Sequence, residues 1–153
     1  MAFRFTLEPV LRLRASYERV ERLRLLQIAA AVVQVQTEIA AAIRDSDAAR
    51  KSLRERLASG TSSAEIQFEA ACETVRANYR RLLEARLASL RKKHEAQTIA
   101  YRRARQKREI LENLRERQWQ EFRREEARRE QRALDELYLL RHGNPLAESP
   151  ESE

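Results

Sequence analysis

The sequence predicts an all-α fold, a long antiparallel two-helix coiled coil with a short extra helix or bend at the connection. Of 153 residues, 36% are charged, and the chain holds only two glycines and three prolines. Apolar residues recur at alternating steps of three and four over long stretches, which is the period of a coiled-coil seam. Gly60 and Gly143 lie at the edges of helix-like segments, so the chain divides into two long helical runs.

The first helix is expected over about residues 7–58. Pro9 is tolerated in a first turn, where its missing N–H is not needed, and Gly60 can take the left-handed conformation that terminates a helix. Steps of four on both sides of Arg24 predict one stutter, which would locally loosen the supercoil. The expected seam positions are Val10, Leu13, Tyr17, Val20, Arg24, Ile28, Val32, Val35, Ile39, Ala42, Ser46, Ala49 and Leu53.

The second helical run opens at Ser62 and Glu65, which are spaced as a capping box. A continuous helix from there to residue 141 would exceed the first by about 26 residues. Either it extends past the first helix, or the connection bends. The second alternative is favoured, with a partly helical connection over about residues 59–88 and a helix over about 89–141. It would place residues 3–13 against the apolar cluster at 134–140, in a single domain over 1–141 with a disordered tail at 142–153.

The positive charge is concentrated in the second half of the chain. The whole sequence has a net charge of +7, whereas residues 80–132 hold 18 basic and 9 acidic side chains, a net charge of +9. Such a face is either simply solvated or attracts an acidic protein surface, nucleic acid or anionic lipid. Interleaved glutamates and the lack of a recognised groove-binding motif weigh against nucleic acid.

Several classes of chemistry are not expected from this composition. Two glycines cannot build a phosphate-cradling loop, and the single cysteine cannot form an intrachain disulfide. His94 and His142 have no second ligand at metal-binding spacing. We therefore predict no enzyme, no cofactor and no metal site.

The N-terminus lacks the pattern of a signal peptide, which favours a cytosolic protein. The most apolar window, residues 25–43, is interrupted by polar side chains such as Gln34 and Glu38. A membrane-spanning helix needs about 20 predominantly apolar residues. We therefore interpret this window as a packing seam.

Aromatic and apolar residues outside the main seam are the candidate contact residues. Trp119 and Phe122 lie alone in a highly charged segment, so they either pack across the helical pair or anchor a partner. A second candidate is an apolar stripe at helical spacing in the connection region. It consists of Phe68, Cys72, Val75 and Tyr79.

Two stretches together resemble the flagellar export protein family FliJ. They are FRFTLEPVLRLR at residues 3–14 and ENLRERQWQEFRREEARREQRALDEL at residues 112–137. The resemblance implies an antiparallel two-helix coiled coil similar to the central stalk of rotary ATPases. It further implies a non-enzymatic component of flagellum biogenesis and motility that engages the hexameric export ATPase, promotes its ring assembly, links it to the cytoplasmic domain of the membrane export gate, and contacts export chaperones.

Carried onto this chain, the resemblance implies two contact regions on a cytoplasmic protein that is peripheral at the inner face of the membrane. The expected gate side is the stripe of Phe68, Cys72, Val75 and Tyr79. The expected ATPase side comprises Phe3, Phe5, Leu7, Trp119, Phe122, Arg124, Arg128, Arg132, Leu134, Leu137 and Leu140. Three alternatives remain open: an injectisome stalk protein of the same architecture, a basic coiled coil that binds nucleic acid, and a self-assembling structural coiled coil.

Overall fold

The computed structural model describes residues 3–142, which form two long α-helices and no strand. Helix α1 spans Glu8–Ser59 and helix α2 spans Ser63–His142, so three residues connect them. The two helices are antiparallel. Near the connection Arg56 of α1 pairs with Glu69 of α2, whereas further from it Gln97 of α2 donates to the backbone carbonyl of Glu21 on α1. The predicted all-α hairpin with coiled-coil packing is confirmed.

The short connection follows from local capping chemistry at both helix ends. Gly60 has a φ of 92°, a left-handed conformation that favours glycine, and its N–H donates to the carbonyl of Leu57 at 3.4 Å. The backbone N–H of Ser62 donates to Glu65 at 3.1 Å, and the N–H of Glu65 donates to the Ser62 hydroxyl at 3.3 Å. This reciprocal pair confirms the capping box that begins α2.

The structure differs from the expected connection over residues 59–88 and the expected helix start at 89. Helix α2 continues without a break from Ser63 to His142. The reason is that no glycine or proline occurs between Thr61 and His142, so nothing in the backbone chemistry ends the helix once it is capped. Of the predicted tail at 142–153, His142 is helical, and the remainder lies outside the described residues.

The chain divides into two compact units, each built from parts of both helices. The terminal unit comprises Met1–Leu13 with Lys107–Glu153, and the central unit is Arg14–Gln106. Both helices contribute to each unit. The expected single coiled-coil domain over residues 1–141 stays a prediction.

Helix α1 of the central unit packs through a heptad seam without interruption. Every step along it alternates between three and four, so the predicted stutter is wrong. The expected seam residues Tyr17 and Val20 are 52% and 43% exposed. The next residue in each case, Glu18 and Glu21, lies on the seam instead. From Ile28 onward the predicted positions are confirmed. The observed seam comprises Arg14, Glu18, Glu21, Leu25, Ile28, Val32, Val35, Ile39, Ala42, Ser46, Ala49 and Leu53.

Helix α2 contributes a matching seam to the central unit. Its most buried member is Leu83, which is only 4% exposed. The three-four spacing of the sequence also predicts Leu87, Leu90, His94, Gln97, Tyr101 and Ala104 as seam positions, and these are confirmed. Nearer the connection, charged residues occupy the seam. The observed members are Glu69, Glu73, Arg76, Arg80, Leu83, Leu87, Leu90, His94, Gln97, Tyr101 and Ala104.

By length and composition alone, α1 is apolar enough to cross a membrane, because one 18-residue window reaches a mean hydropathy of 1.4. A core helix of a soluble protein passes the same test, so this is weak support for a span. Within the apolar stretch, Ile28, Val32 and Val35 lie on the seam with α2, and Val35 is only 1% exposed. Packing against α2 is a sufficient reason for the apolar character of these positions.

Candidate partner-binding surfaces

An aromatic cluster joins the start of the chain to α2 in the terminal unit. Phe3 meets Trp119 edge-on with ring centroids 5.2 Å apart, and Phe122 lies 5.7 Å from Phe3 and 6.0 Å from Trp119. These distances are within the range of favourable aromatic pairs. Trp119 nevertheless remains 38% exposed. It therefore packs across the helical pair and also presents part of its ring to solvent.

Burial separates the three N-terminal residues that were assigned to the ATPase side. Phe5 is only 6% exposed, as is Leu11 on the first turn of α1, whereas Leu7 is 37% exposed. Phe5 therefore has a packing role in the terminal unit, and Phe3 and Leu7 remain accessible.

Two open grooves meet at Phe3. The first has a volume of about 480 Å³ and is lined by Phe3, Trp119 and charged side chains of α2, while the second runs along the start of α1. Arg115 borders both grooves and lies 3.8 Å from Glu8. The accessible aromatic edge is thus set among charged groups of both signs.

The apolar cluster near the end of α2 does not pack against the N-terminal residues, contrary to expectation. Phe3 contacts Trp119 and Phe122 instead, and Leu134 lies about 22 Å further along a continuous helix from Trp119. Leu134, Leu137 and Leu140 are 61%, 56% and 79% exposed.

Every side chain from residue 127 to residue 142 is exposed. This segment includes Tyr138 and Leu139, which are 63% and 65% exposed. The predicted contact residues Arg124, Arg128 and Arg132 are likewise exposed and follow one another at steps of four, so they share one helix face. This part of α2 therefore presents leucines and arginines that nothing in residues 3–142 covers.

In the central unit, the apolar stripe assigned to the gate side faces solvent. Phe68, Val75 and Tyr79 are 70%, 68% and 51% exposed, and the free cysteine Cys72 is half-buried. The interpretation of these residues as a stripe at helical spacing is compatible with the continuous helix. What sequence reasoning missed is which stripe of α2 packs on α1.

The packing stripe near the connection is a network of charged side chains. Glu73 accepts from Arg50 at 2.7 Å, from Arg76 at 3.1 Å and from the hydroxyl of Ser46 at 3.2 Å. Glu69 accepts from Arg56 at 3.3 Å and also from Arg76. Extending the heptad phase back from Leu87 would have found Glu69, Glu73 and Arg76, because these positions follow in unbroken steps of three and four.

The network holds its carboxylates in the charged form. The hydrogen bond from Arg76, with a further contribution from Arg56, keeps the pKa of Glu69 below its ordinary value of 4.5. The hydrogen bond from Arg50, followed by those from Arg76 and Ser46, lowers the pKa of Glu73 in the same way. In turn, the bonds to Glu69 and Glu73 raise the pKa of Arg76.

These shifts predict a loss of stability in acid. A carboxylate whose pKa is lower in the folded state stabilises the fold above its unfolded pKa, and this contribution disappears as pH falls through the folded value. We expect the melting temperature to be nearly constant between pH 7 and about pH 5, and to fall below about pH 4. Circular dichroism melts across this range would measure it.

The matched control is the double variant Glu69→Gln with Glu73→Gln. It should melt lower than the wild type at pH 7 and should lose less stability between pH 5 and pH 3. An equally steep acid loss in the double variant would show that other carboxylates cause it.

No group of three His, Cys, Asp or Glu side chains within residues 3–142 is arranged to hold a metal ion. His94 lies half-buried on the seam, beside a groove lined by Ala29, Val32 and Arg91 among others.

Comparison with known proteins identifies one family. A family model described as "Flagellar FliJ protein" matches residues 3–146 of this chain. No curated protein and no solved structure matches it. The matched range contains the aromatic cluster, both helices and the exposed stripes described above.

Proposed function

Because the chain belongs to the FliJ family, whose members are components of the flagellar export apparatus, we propose that it is the non-enzymatic stalk that couples the export ATPase to the export gate. In this proposal the terminal unit engages the ATPase ring and the central unit binds the cytoplasmic domain of the gate. Export chaperones are further partners. The protein would then act in the cytoplasm, peripherally at the inner face of the membrane.

The observation that carries the ATPase assignment is the exposed end of α2. Leu134, Leu137 and Leu140 expose more than half of their surface, and no other residue between 3 and 142 covers them. Exposed apolar side chains gathered in one segment mark interaction sites more often than scattered ones do. Arg124 and Arg128 on the same segment supply the charge that steers an acidic partner.

The mode of action that fits these surfaces is mechanical. The two helices of the central unit pack through an uninterrupted heptad seam, which stiffens that unit, while short patches on each unit hold the partners. The match to the flagellar family supports the flagellar apparatus over an injectisome. No covalent step is required of the chain.

The ATPase assignment is tested with the triple variant Leu134→Ala, Leu137→Ala, Leu140→Ala. We expect it to bind the cognate export ATPase about tenfold more weakly or worse, since buried leucine anchors contribute to such contacts. Sedimentation velocity would measure complex formation, and ATP hydrolysis and the hexamer fraction would report ring assembly. Trp119, the only tryptophan, gives a fluorescence signal for binding near the aromatic cluster.

The matched control carries Leu23→Ala, Leu26→Ala and Val33→Ala, three residues of the central unit that are 54%, 56% and 58% exposed. This variant removes a similar amount of exposed apolar surface and should bind the ATPase as the wild type does. Equal weakening in both triple variants would contradict a specific contact at the end of α2. Wild-type chain that neither binds the ATPase nor changes its hexamer fraction or hydrolysis would contradict the ATPase assignment altogether.

The gate assignment is tested separately with Phe68→Ala and Tyr79→Ala. Each should weaken binding to the purified cytoplasmic domain of the gate, because both rings are exposed and large enough to anchor a partner. Tyr17→Ala is the control, since Tyr17 is 52% exposed and Tyr79 is 51% exposed. Gate binding that survives both substitutions on α2 would contradict the assignment.

A further inference from the structure

Near the connection, α2 carries two parallel heptad stripes that lie one residue apart. The inward stripe is the charged one that contains Glu69, Glu73 and Arg76. The outward stripe alternates in steps of four and three, as a coiled-coil seam does, yet its members face solvent. Phe68, Val75, Tyr79 and Leu82 are between 51% and 70% exposed, and Cys72 is half-buried.

Between residues 63 and 79 no charged side chain lies on the outward stripe, which is unusual in a chain with 36% charged residues. Four charged side chains occur between residues 63 and 79, and each is hydrogen-bonded to groups that lie off the outward stripe. Glu65 caps the helix at Ser62, while Glu69, Glu73 and Arg76 bond across to α1 or to one another. A partner that covers this face therefore need not strip water from an ionised group, which removes a main cost of binding.

The neighbouring face of α1 completes a groove beside Tyr79. Its volume is about 290 Å³, and α1 contributes Glu38, Ala41, Ala42 and Asp45 to its lining. From α2 the groove is lined by Tyr79 and by Arg76, whose guanidinium is hydrogen-bonded to Glu69 and Glu73. Alanines let a third helix approach closely. Asp45 is exposed and Glu38 is half-buried, so this wall of the groove is acidic.

We propose that this groove binds one amphipathic α-helix of the partner as a third helix of the coiled coil. Its apolar stripe would cover Phe68, Val75 and Tyr79, and a row of Lys or Arg along one edge would face Glu38 and Asp45. The stripe from residue 68 to residue 82 spans about 21 Å, so the bound helix has at least about 15 residues. The inference rests on the proposed gate-side contact and assigns its binding mode.

Charge complementarity favours this occupant over two others. A second copy of the chain would bring an identical acidic wall, and like charges facing each other oppose binding. Nucleic acid is repelled by Glu38 and Asp45. An amphipathic helix with a basic edge complements both surfaces: its apolar face covers the uncharged stripe, and its basic edge faces Glu38 and Asp45.

The test uses two synthetic helical peptides with leucines in the same four-three pattern, one with a lysine edge and the other with a glutamate edge. Fluorescence anisotropy against the full chain measures both affinities. We expect the lysine-edged peptide to bind more tightly, and Phe68→Ala with Tyr79→Ala to weaken it about tenfold or more. The double variant Glu38→Lys with Asp45→Lys should reverse the preference between the peptides.

Binding without preference for either edge, or binding that ignores Phe68 and Tyr79, would overturn the proposal. A wild-type dimer in sedimentation that Phe68→Asp converts to a monomer would overturn it in favour of a second copy. If Tyr79→Ala abolishes gate binding while neither peptide binds, the helix mode fails and the gate assignment stands. If the peptides behave as expected while gate binding ignores Phe68 and Tyr79, the gate assignment fails and the groove stands.

Discussion

Replacing Leu83 by alanine is expected to lower the free energy of unfolding by about 2–3 kcal/mol, the low end for a buried leucine because the two-helix core is thin. Leu83 is 4% exposed and lies on the α2 seam, so the substitution removes buried apolar surface from the packing against α1. For a chain of this length, about 2–4 °C of melting temperature corresponds to each kcal/mol. A circular dichroism melt at pH 7 would therefore shift by several degrees, and urea denaturation would give the free energy directly.

Leu82→Ala is the matched control, because it makes the same leucine-to-alanine change at the adjacent residue. Leu82 is 67% exposed, and substitutions at such sites are usually within about 0.5 kcal/mol of neutral. The contrast isolates burial from helix propensity. If both variants melted alike, Leu83 would not be the residue of this pair that packs on the α2 seam.

Before Ile28 on α1 and before Leu83 on α2, the seam phase is the part of the fold that local sequence reasoning did not find. The apolar residues Tyr17 and Val20 on α1, and Phe68 and Val75 on α2, suggest one seam phase, whereas the residues that pack lie one position along. Over a long coiled coil, register is set by the sum of all layers, including those of the most buried residues Val35 and Leu83. A short stripe cannot rotate independently without breaking the helix, so it stays exposed.

Helix composition, the turn at Gly60 and the capping box at Ser62 could be predicted, because each depends on a few neighbouring residues. The partner of Phe3 could not. Which residue of α2 meets Phe3 depends on whether α2 bends near the connection or continues as one helix. The two alternatives place residues about 15 positions apart, Leu134 or Trp119, opposite Phe3. Once α2 is continuous, Trp119 rather than Leu134 lies opposite the start of the chain.

The exposed apolar stripe on α2 lies where the local apolar pattern and the register of the whole coiled coil disagree. Where local apolar pattern and global register disagree, a protein under selection for stability alone would replace the exposed aromatic residues. Phe68 and Tyr79 instead remain on the surface, while the adjacent residues Glu69 and Arg80 occupy the seam. Such departures from local consistency are expected at functional sites, which is why the stripe on α2 supports a binding role.

The charged seam also predicts a strong effect of charge reversal. Glu73→Lys would place a cation among Arg50 and Arg76, both of which donate to the Glu73 carboxylate in the native protein. Like charges at this distance repel, and the hydroxyl of Ser46, which is only 8% exposed, loses its acceptor. We expect a lower melting temperature and faster amide hydrogen exchange in residues 46–56 and 69–80 than elsewhere in the central unit.

Adding Arg50→Glu to Glu73→Lys restores one ion pair with its polarity reversed, so part of the stability should return. The recovery should be incomplete because Arg76 still faces the new lysine. We therefore expect the order of melting temperatures to be wild type, double variant, then Glu73→Lys alone, with exchange in residues 69–80 following the same order. A double variant no more stable than Glu73→Lys would mean that Arg50 and Glu73 do not interact across the helices, and that the charged seam does not set the packing of α2 near the connection.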